Sequence, residues 1–255
     1  MQIVELASVA SSNLYCEVLD LSKVEDFTCF WALEQTAGIG QRGNHWAAAP
    51  GENLTFSLVL HPTSLSASRQ FKLTQAVSLS LIDFLQEYTK EHTHPIIPKI
   101  KWPNDIYIAG KKICGTLVST RLQGEGIASA ICGIGLNINQ CHFPEWVPNP
   151  TSLALLTGRD YPLEPCLRHL LQCIEMRYTQ LLEGNDFEEE YLAHLLNLNI
   201  PAQYRYLGKE ITATITGIDL FGRLLLTASD GRRLCCAMKE ISLIESKGAT
   251  AFPSC

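Results

Sequence analysis

The segment Gly38-Ile39-Gly40-Gln41-Arg42-Gly43 decides between two fold classes, because it matches the G-x-G-x-x-G pattern of dinucleotide-binding proteins letter for letter. In a Rossmann fold this pattern lies between a strand and a helix, and an acidic residue follows about 20 residues later. An apolar run at 27–34 predicts the strand, but Pro50 prevents a full helix after the loop. No Asp or Glu lies between Glu52 and Asp83. The sequence therefore argues against a Rossmann turn and against NAD or FAD binding.

The same loop retains the chemistry of an anion site. Its glycines allow backbone N–H groups to approach a negative charge closely, and Arg42 adds a charged donor. Trp46 follows the loop and could pack over a bound ring or into the core. Because glycine-rich turns are common at protein surfaces, the loop taken alone favours an ordinary turn over a ligand site.

The apolar pattern of the rest of the chain predicts an α+β fold. Apolar residues at intervals of three or four predict helices over residues 66–90, 163–182 and 186–196. Apolar runs predict strands over residues 54–60, 113–120 and 127–131, the last two joined by a hairpin turn at 124–126.

The pattern changes at residues 197–201, beyond which the sequence predicts only short strands. They cover residues 203–206, 210–218, 223–227 and 232–238, with Gly222 and Asp230-Gly231 at turns. Short strands alone over a segment of this length are typical of a small β-barrel of SH3-like size. We expect a larger domain of residues 1–199, an SH3-like domain of residues 200–246 and a tail of residues 247–255.

Composition and charge exclude several classes of protein. The 255 residues carry a formal net charge of −6, whereas a general nucleic-acid binder needs a basic surface. The 10 cysteines include no C-x-x-C pair, so we expect free buried thiols rather than disulfides or a zinc site. No apolar run is long enough for a membrane helix, and no leader pattern follows Met1. We therefore expect a cytoplasmic protein that binds neither nucleic acid nor membranes.

A basic cluster stands out in this acidic chain. It consists of Lys99, Lys101, Lys111 and Lys112, with Asp105 as the acid among them. Lys101-Trp102-Pro103-Asn104-Asp105 predicts a strand end or a turn, because a residue before proline is held extended. Lysine, amide and carboxylate groups could together bind an anionic substrate with Mg²⁺. On composition alone, a solvated turn with ordinary lysines is favoured.

Two further polar segments have simple structural interpretations. The Gly/Asn-rich residues 133–139 are interpreted as a loop that ends a strand, and Ser11-Ser12-Asn13 as the capped N-terminus of a helix. No G-x-S-x-G motif and no Ser/His/Asp or Cys/His set stands out, so covalent hydrolysis has no support.

In combination and in this order, the segments resemble the biotin–protein ligases. The resemblance extends over nearly the whole chain and is carried by residues 11–13, 35–46, 101–105, 112–115 and 133–137. Its most specific part is Trp-Pro-Asn-Asp, followed seven residues later by Lys112. The resemblance implies a mixed sheet with helices, related to class II aminoacyl-tRNA synthetases, plus the small C-terminal barrel.

The resemblance also implies an activity and a site. Biotin and MgATP would form biotinyl-5′-AMP and pyrophosphate, and biotin would then pass to one lysine of a carboxyl-carrier protein. The implied biotin contacts are Ser11, Ser12, Asn13, Gln35, Gly38, Ile39, Gly40, Gln41, Lys112 and Gly115. The implied ATP contacts are Arg42, Gly43, Trp46, Asn104, Asp105 and Asn137. Lys112, Arg42 and Asp105 would be catalytic, Asp105 would be a candidate Mg²⁺ ligand, and we expect a monomer or weak homodimer.

The residues present suit this chemistry. The carboxyl group of biotin, with a pKa near that of Glu at about 4.3, is ionised at pH 7 and needs no general base. The barrier is repulsion between a carboxylate and a triphosphate, which Lys112, Arg42 and Mg²⁺ would offset. The neutral ureido ring of biotin needs short polar groups, which Ser, Asn and Gln side chains provide.

Two departures from the family pattern affect the expected function. Many members carry an arginine-rich loop, G-R-G-R-x-G-R, but Ile39, Gln41 and Asn44 occupy its three arginine positions here, and only Arg42 remains. We therefore expect biotinyl-adenylate to escape faster than from an arginine-rich enzyme. The chain also lacks the N-terminal helix-turn-helix of some relatives, so we expect a monofunctional ligase with no DNA-binding role.

Three alternatives remain open from the sequence. A lipoate or octanoate ligase or transferase would share the fold class, but the 101–105 segment and the terminal barrel favour biotin. A biotin- or carrier-binding module could have lost adenylation, although Lys112 and Asp105 favour an enzyme. A nucleotide-binding regulator would bind ATP without biotin.

Overall fold

The computed structural model describes residues 1–90 and 96–244, apart from the side chain of Arg42, and confirms the α+β class. In this part of the chain the larger sheet consists of seven strands: β1 (Gln2–Leu6), β2 (Thr28–Ala32), β3 (Asn53–Leu60), β4 (Lys99–Lys101), β5 (Asp105–Ile108), β6 (Lys111–Gln123) and β7 (Gly126–Asn137). Their order is β1-β2-β3-β7-β6-β5-β4. Strands β1 and β2 are parallel and the other neighbours are antiparallel, so the sheet is mixed, as expected.

Helices cover both faces of the centre of this sheet. The described helices are α1 (Ser12–Glu17), α2 (Phe71–Thr89), α3 (Leu153–Thr157), α4 (Leu163–Leu182) and α5 (Glu188–His194). Helices α2 and α4 pack against each other, and their apolar residues form one core with Leu58 and its even-numbered neighbours on β3. On the opposite face, Val59 packs with Cys16 of α1. Since both faces are covered, every residue of β3 is buried.

The smaller sheet follows as a separate antiparallel unit, consistent with the expected SH3-like domain. It contains β8 (Pro201–Tyr206), β9 (Lys209–Ile218), β10 (Leu224–Ala228), β11 (Arg233–Cys236) and β12 (Ile241–Leu243), in the order β11-β10-β9-β8-β12. The indole Nε1 of Trp102 donates a hydrogen bond to the carbonyl of Gly222 at 2.9 Å, which joins the two sheets. The predicted tail at 247–255 lies outside the described residues.

The structure confirms the longer predicted elements and adds shorter ones. The three predicted helices are α2, α4 and α5, and the predicted hairpin is β6 with β7. The sequence analysis missed β1, β4, β5 and β12, which have only three to five residues each. Runs this short do not produce an alternating apolar pattern that can be told from a loop.

The interpretation of residues 133–139 as a loop was wrong for most of the segment. Strand β7 continues to Asn137 and pairs with β3 and β6 over this stretch. A Cβ atom at Gly133 would overlap the side chain of Asn13, and one at Gly135 would overlap the indole of Trp46. These glycines therefore mark a close approach of side chains to the strand, and not its end.

Candidate active site

A single cavity unites most of the residues that the sequence assigns to the site. It has a volume of about 300 Å³ and extends from the N-terminus of α1 to the smaller sheet. The predicted site residues in its lining are Ser11, Ser12, Asn13, Gln35, Ile39, Gly40, Gln41, Trp46, Asp105, Lys112 and Gly115. Residues from distant parts of the chain thus meet around one space large enough for a small ligand.

The N-terminus of α1 forms the polar end of the cavity. Ser11 occupies the N-cap position, but its side chain caps no backbone N–H, so the capping interpretation was wrong for this residue. Instead, Oε1 of Gln35 accepts the backbone N–H of Ser12 at 2.7 Å. Gln35 therefore supplies the cap from the loop after β2, and Ser11 lines the cavity.

Lys112 and Asp105 form the charged end. Lys112 Nζ lies 2.6 Å from Asp105 Oδ2, and both side chains are 28% exposed. The backbone of Lys112 is held firmly, because its N–H bonds Asn149 at 2.7 Å and its carbonyl bonds Thr151 at 2.9 Å. Because both side chains are partly exposed, a bound anion can reach the ammonium group and compete for it with Asp105.

Trp46 lies on the floor of the cavity between these two ends. Its indole packs on Gly135 and Gly115, where a Cβ atom would come too close to the ring. Lys112 Nζ lies 5.7 Å from the centre of the ring, within the range of a cation–π interaction. The indole Nε1 is buried and has no hydrogen-bond partner among the described residues.

The glycine loop lines the cavity as a short hairpin. Ile39 pairs with His45, and the backbone N–H of Trp46 donates to the carbonyl of Gly38 at 2.9 Å. At the tip, Gln41 Nε2 donates to Asn104 Oδ1 at 2.8 Å, which fastens the loop to the turn between β4 and β5. The predicted role of Arg42 rests on a side chain outside the described part of the structure.

Four predicted residues do not belong to the cavity lining: Gly38, Gly43, Asn104 and Asn137. Asn104 is buried, and it donates to the carbonyl of Thr116 at 3.0 Å while accepting from Gln41. Asn137 is buried at the end of β7 and donates to the carbonyl of Thr151 at 2.8 Å. In this structure both asparagines tie neighbouring segments together, and their contacts with a nucleotide stay predictions.

The sequence analysis missed one wall of the cavity. This wall is formed by Trp102 and by residues near or within the smaller sheet: Leu196, Asn197, Tyr204, Ile215, Leu224, Ile241, Ser242 and Leu243. Burial raises the pKa of the Tyr204 hydroxyl to about 12, so this group is neutral at physiological pH. A contact between two sheets that are distant in sequence leaves no local pattern, and Trp102 within the 101–105 turn was the available signal.

The thiols near the site are not activated. Burial raises the pKa of Cys132 to about 12, and it raises that of Cys114, next to Gly115, still further. Both remain protonated at neutral pH. All cysteines in the described ranges are free, but Cys235 is exposed and Cys141 half-buried, so the expectation of burial was wrong for these two.

Two features are absent from the residues that the structure describes. They contain no group of three or more His, Cys, Asp or Glu side chains placed to hold a metal ion. No helix among them is long and apolar enough to cross a membrane.

The comparisons with a protein-family model and with known proteins agree with one another. The model of the biotin/lipoate A/B protein ligase family matches residues 6–137. A biotin--[acetyl-CoA-carboxylase] ligase of Paracoccus denitrificans is 30% identical over 80% of this chain and 86% of its own length. The bifunctional ligase/repressor BirA of Bacillus subtilis is 30% identical over 78% of this chain, which covers 61% of that relative.

A solved structure supports the fold over nearly the full length. The biotin protein ligase from Aquifex aeolicus, in complex with biotin and ATP, superposes with a TM-score of 0.77 at 27% identity, over 96% of this chain and 99% of that one. The family match extends over more than half of the present chain. The chain therefore belongs to the biotin/lipoate A/B protein ligase family.

Proposed function

We propose that the protein is a biotin ligase, which activates biotin with ATP and transfers it to a lysine of a carboxyl-carrier protein. The observation that carries this proposal is the joining of two different ends in one cavity. The neutral side chain of Asn13 lies over Gly133 and the ammonium group of Lys112 lies beside Gly115, with the indole of Trp46 over Gly135 and Gly115 between them. Biotin has the matching pair of ends, a neutral ureido ring and a carboxylate.

The first half-reaction would use Lys112 to bring two anions together. One carboxylate oxygen of biotin bonds the α-phosphorus of ATP while the bond to the bridging oxygen breaks, and pyrophosphate leaves. Lys112 would leave Asp105 for the biotin carboxylate and reduce its repulsion with the phosphates. Holding both substrates in line supplies a further part of the rate enhancement.

The second half-reaction transfers the biotinyl group. The neutral amine of the carrier lysine attacks the carbonyl carbon of biotinyl-adenylate, the bond from that carbon to the phosphate oxygen breaks, AMP leaves, and the nitrogen releases one proton to solvent as the amide forms. The loop held by Gln41 and Asn104 would cover the adenylate between the two steps.

The donor set of the cavity fits Mg²⁺ bound together with ATP. Asp105 provides the carboxylate in the lining, and Mg²⁺ in nucleotide sites needs only one or two such ligands besides phosphates and water. Mg²⁺ supplies charge neutralisation on the triphosphate when bound. Asp105 would then be released from Lys112 at the moment when biotin takes its place.

The nucleotide would lie beside Trp46, whose indole offers an aromatic face for adenine. Asn104, Asn137, Gly43 and Arg42 would complete this half of the site, as the family resemblance implies. The buried Oδ1 of Asn137 has no hydrogen-bond partner among the described residues, so it could accept from the amino group of adenine after a small shift.

A lipoate ligase is the main competing proposal within the same family. A lipoyl ring has two sulfur atoms and no strong hydrogen-bonding groups, whereas the corresponding end of this cavity is lined by serines and an asparagine. A bound lipoyl ring would leave these buried serine and asparagine side chains without hydrogen-bond partners, which disfavours it as a ligand.

One experiment tests the proposed function. The protein is incubated with MgATP and labelled pyrophosphate, and exchange is measured with biotin, with lipoate or with neither. A carrier domain is then added and its intact mass is measured. Biotin-dependent exchange and a mass gain of one biotinyl group are expected, whereas stimulation by lipoate alone, or by neither acid, would contradict the proposal.

A further inference from the structure

A serine beneath the polar end of the cavity is absent from every prediction made from the sequence. Ser57 lies on β3, is completely buried and does not line the cavity. Its hydroxyl lies 2.8 Å from the hydroxyl of Ser12 and donates a hydrogen bond to Oδ1 of Asn13. A residue that cannot touch a ligand thus contacts two residues that can.

The directions of these hydrogen bonds follow from the groups involved. The amide oxygen of Asn13 can only accept, so the single hydroxyl proton of Ser57 is used in that bond. Ser57 must then accept from Ser12, whose own proton is used in turn. With its proton used in this way, the Ser12 hydroxyl can offer the cavity only its oxygen lone pairs, as a hydrogen-bond acceptor.

Asn13, in contrast, can offer the cavity a hydrogen-bond donor. Its Oδ1 is engaged by Ser57, while its Nδ2 is buried and has no partner among the described residues. The residue is only 5% exposed and lines the cavity. Gly133 allows this position, since any Cβ there would overlap the carboxamide. The NH₂ group of Asn13 can therefore donate a hydrogen bond to an acceptor on a ligand.

We propose that Ser57 is a positioning residue that sets the hydrogen-bond polarity of the site, with Ser12 as acceptor and Asn13 as donor. This pair selects a ring that carries an N–H next to a carbonyl, as a cyclic urea does. The inference rests on the proposed function, since the ureido ring of biotin is such a group. It adds the residue that enforces the choice and the direction of each bond.

The first test compares two hydroxyl deletions on the same face of β3. Ser57→Ala removes the group that orients Ser12 and Asn13, and the Kd for biotin is expected to rise about tenfold or more. Thr55→Val is the matched control, because the Thr55 hydroxyl bonds the carbonyl of Ala32 at 2.8 Å and not the pair. Calorimetry with biotin, KM for ATP and the melting temperature are measured for both.

The expected pattern separates positioning from packing. Ser57→Ala should weaken biotin binding with the KM for ATP within about twofold of its original value, and Ser57→Thr, which keeps the hydroxyl, should recover most of the affinity. Thr55→Val should leave the Kd for biotin within about twofold. Equal loss of biotin affinity in Ser57→Ala and Thr55→Val, or no loss in Ser57→Ala, would overturn the inference.

The second test compares two ligands that differ in whether the ring presents an acceptor or a donor to Asn13. In 2-iminobiotin a protonated imine replaces the ring carbonyl, so the ring presents donors where biotin presents an acceptor. The unaltered protein should prefer biotin, and Asn13→Asp, which places an acceptor at this position, should reduce or reverse that preference. A preference that is unchanged in Asn13→Asp, or a preference for 2-iminobiotin in the unaltered protein, would overturn the assignment.

Different results would contradict the proposed function and the role of Ser57. If the unaltered protein shows no biotin-dependent exchange of pyrophosphate, the proposed function fails. If exchange is normal but Ser57→Ala binds biotin as tightly as before, the function stands and the role of Ser57 is wrong.

Discussion

At the scale of single residues, Lys112 is expected to bind two carboxylates in turn, that of Asp105 and that of biotin. Its ammonium group pairs with Asp105 at 2.6 Å and would exchange this partner for the carboxylate of biotin. Lys112→Ala should lower biotin-dependent pyrophosphate exchange at least 100-fold, which corresponds to about 3 kcal/mol of transition-state stabilisation. Lys111→Ala is the control, because Lys111 precedes it on β6 but does not line the cavity. Equal activities of the two variants would contradict the role of Lys112.

Gly135 presents a second prediction at this scale, since its missing side chain makes room for the indole of Trp46. Gly135→Ala should displace the ring and lower exchange activity more than tenfold, with a stability cost of about 1–3 kcal/mol from overpacking. Gly217→Ala on β9 is the matched control, because no atom lies within 4 Å of a Cβ built there. Full activity in Gly135→Ala would show that the position of Trp46 is not needed.

At the scale of elements, a neutral hydrogen bond between Gln41 and Asn104 fastens the tip of the glycine loop to the turn between β4 and β5. Such a bond contributes about 1 kcal/mol, which is less than a charged contact to a phosphate. Gln41→Ala should therefore release biotinyl-adenylate several-fold faster, and Gln41→Arg should release it more slowly than the unaltered protein. The rate is measured by rapid gel filtration of the labelled intermediate. Equal release rates in all three proteins would contradict the role of the Gln41–Asn104 hydrogen bond in retaining the intermediate.

Helices α2, α4 and α5, on the face of the larger sheet away from α1, are joined by a contact of Arg177. Arg177 of α4 binds Asp83 of α2 at 2.7 Å and Glu190 of α5 at 2.7 Å. Arg177 lowers the pKa of Glu190 in the folded state, so this part of the stabilisation is present above the ordinary pKa near 4.5 and is lost as the pH falls below it.

Removal of this arginine gives a pH-dependent prediction. Arg177→Met should lower the free energy of unfolding by about 2 kcal/mol at pH 7, a value reduced for the partial exposure of its partners. The difference from the unaltered protein should shrink below pH 4 in chemical denaturation. Arg168→Met is the control on the same helix, since the Arg168–Glu164 pair is exposed. A difference that grows with acidity would contradict the sign of the effect.

Elements differed in how far the sequence could predict them. Helices α2 and α4 have 19 and 20 residues with a regular apolar face, and this pattern sufficed. Strand β7 was cut short in the prediction, because Gly133 and Gly135 resemble a strand end unless Asn13 and Trp46 are known to lie above them. Most residues that the sequence assigns to the site line one cavity, whereas the contact of Ser57 on β3 with α1 is contained in no local pattern.

At the scale of the whole molecule, the cavity belongs to both sheets. Trp102 lies in the turn that carries Asn104 and Asp105, and its indole bonds Gly222 of the C-terminal unit. Tyr204 and Ile215 of that unit complete the wall of the cavity. The position of the turn, and with it that of Asp105 and its partner Lys112, thus depends on the smaller sheet as well as on the larger one.

A crystal structure with biotin and a non-hydrolysable ATP analogue tests the central claim most directly. The measured quantity is the distance from Lys112 Nζ to the biotin carboxylate. We predict about 3 Å, with the ureido ring between Ser12 and Asn13 and the nucleotide beside Trp46. Biotin bound elsewhere, or Lys112 still paired only with Asp105 while both ligands occupy the cavity, would contradict it.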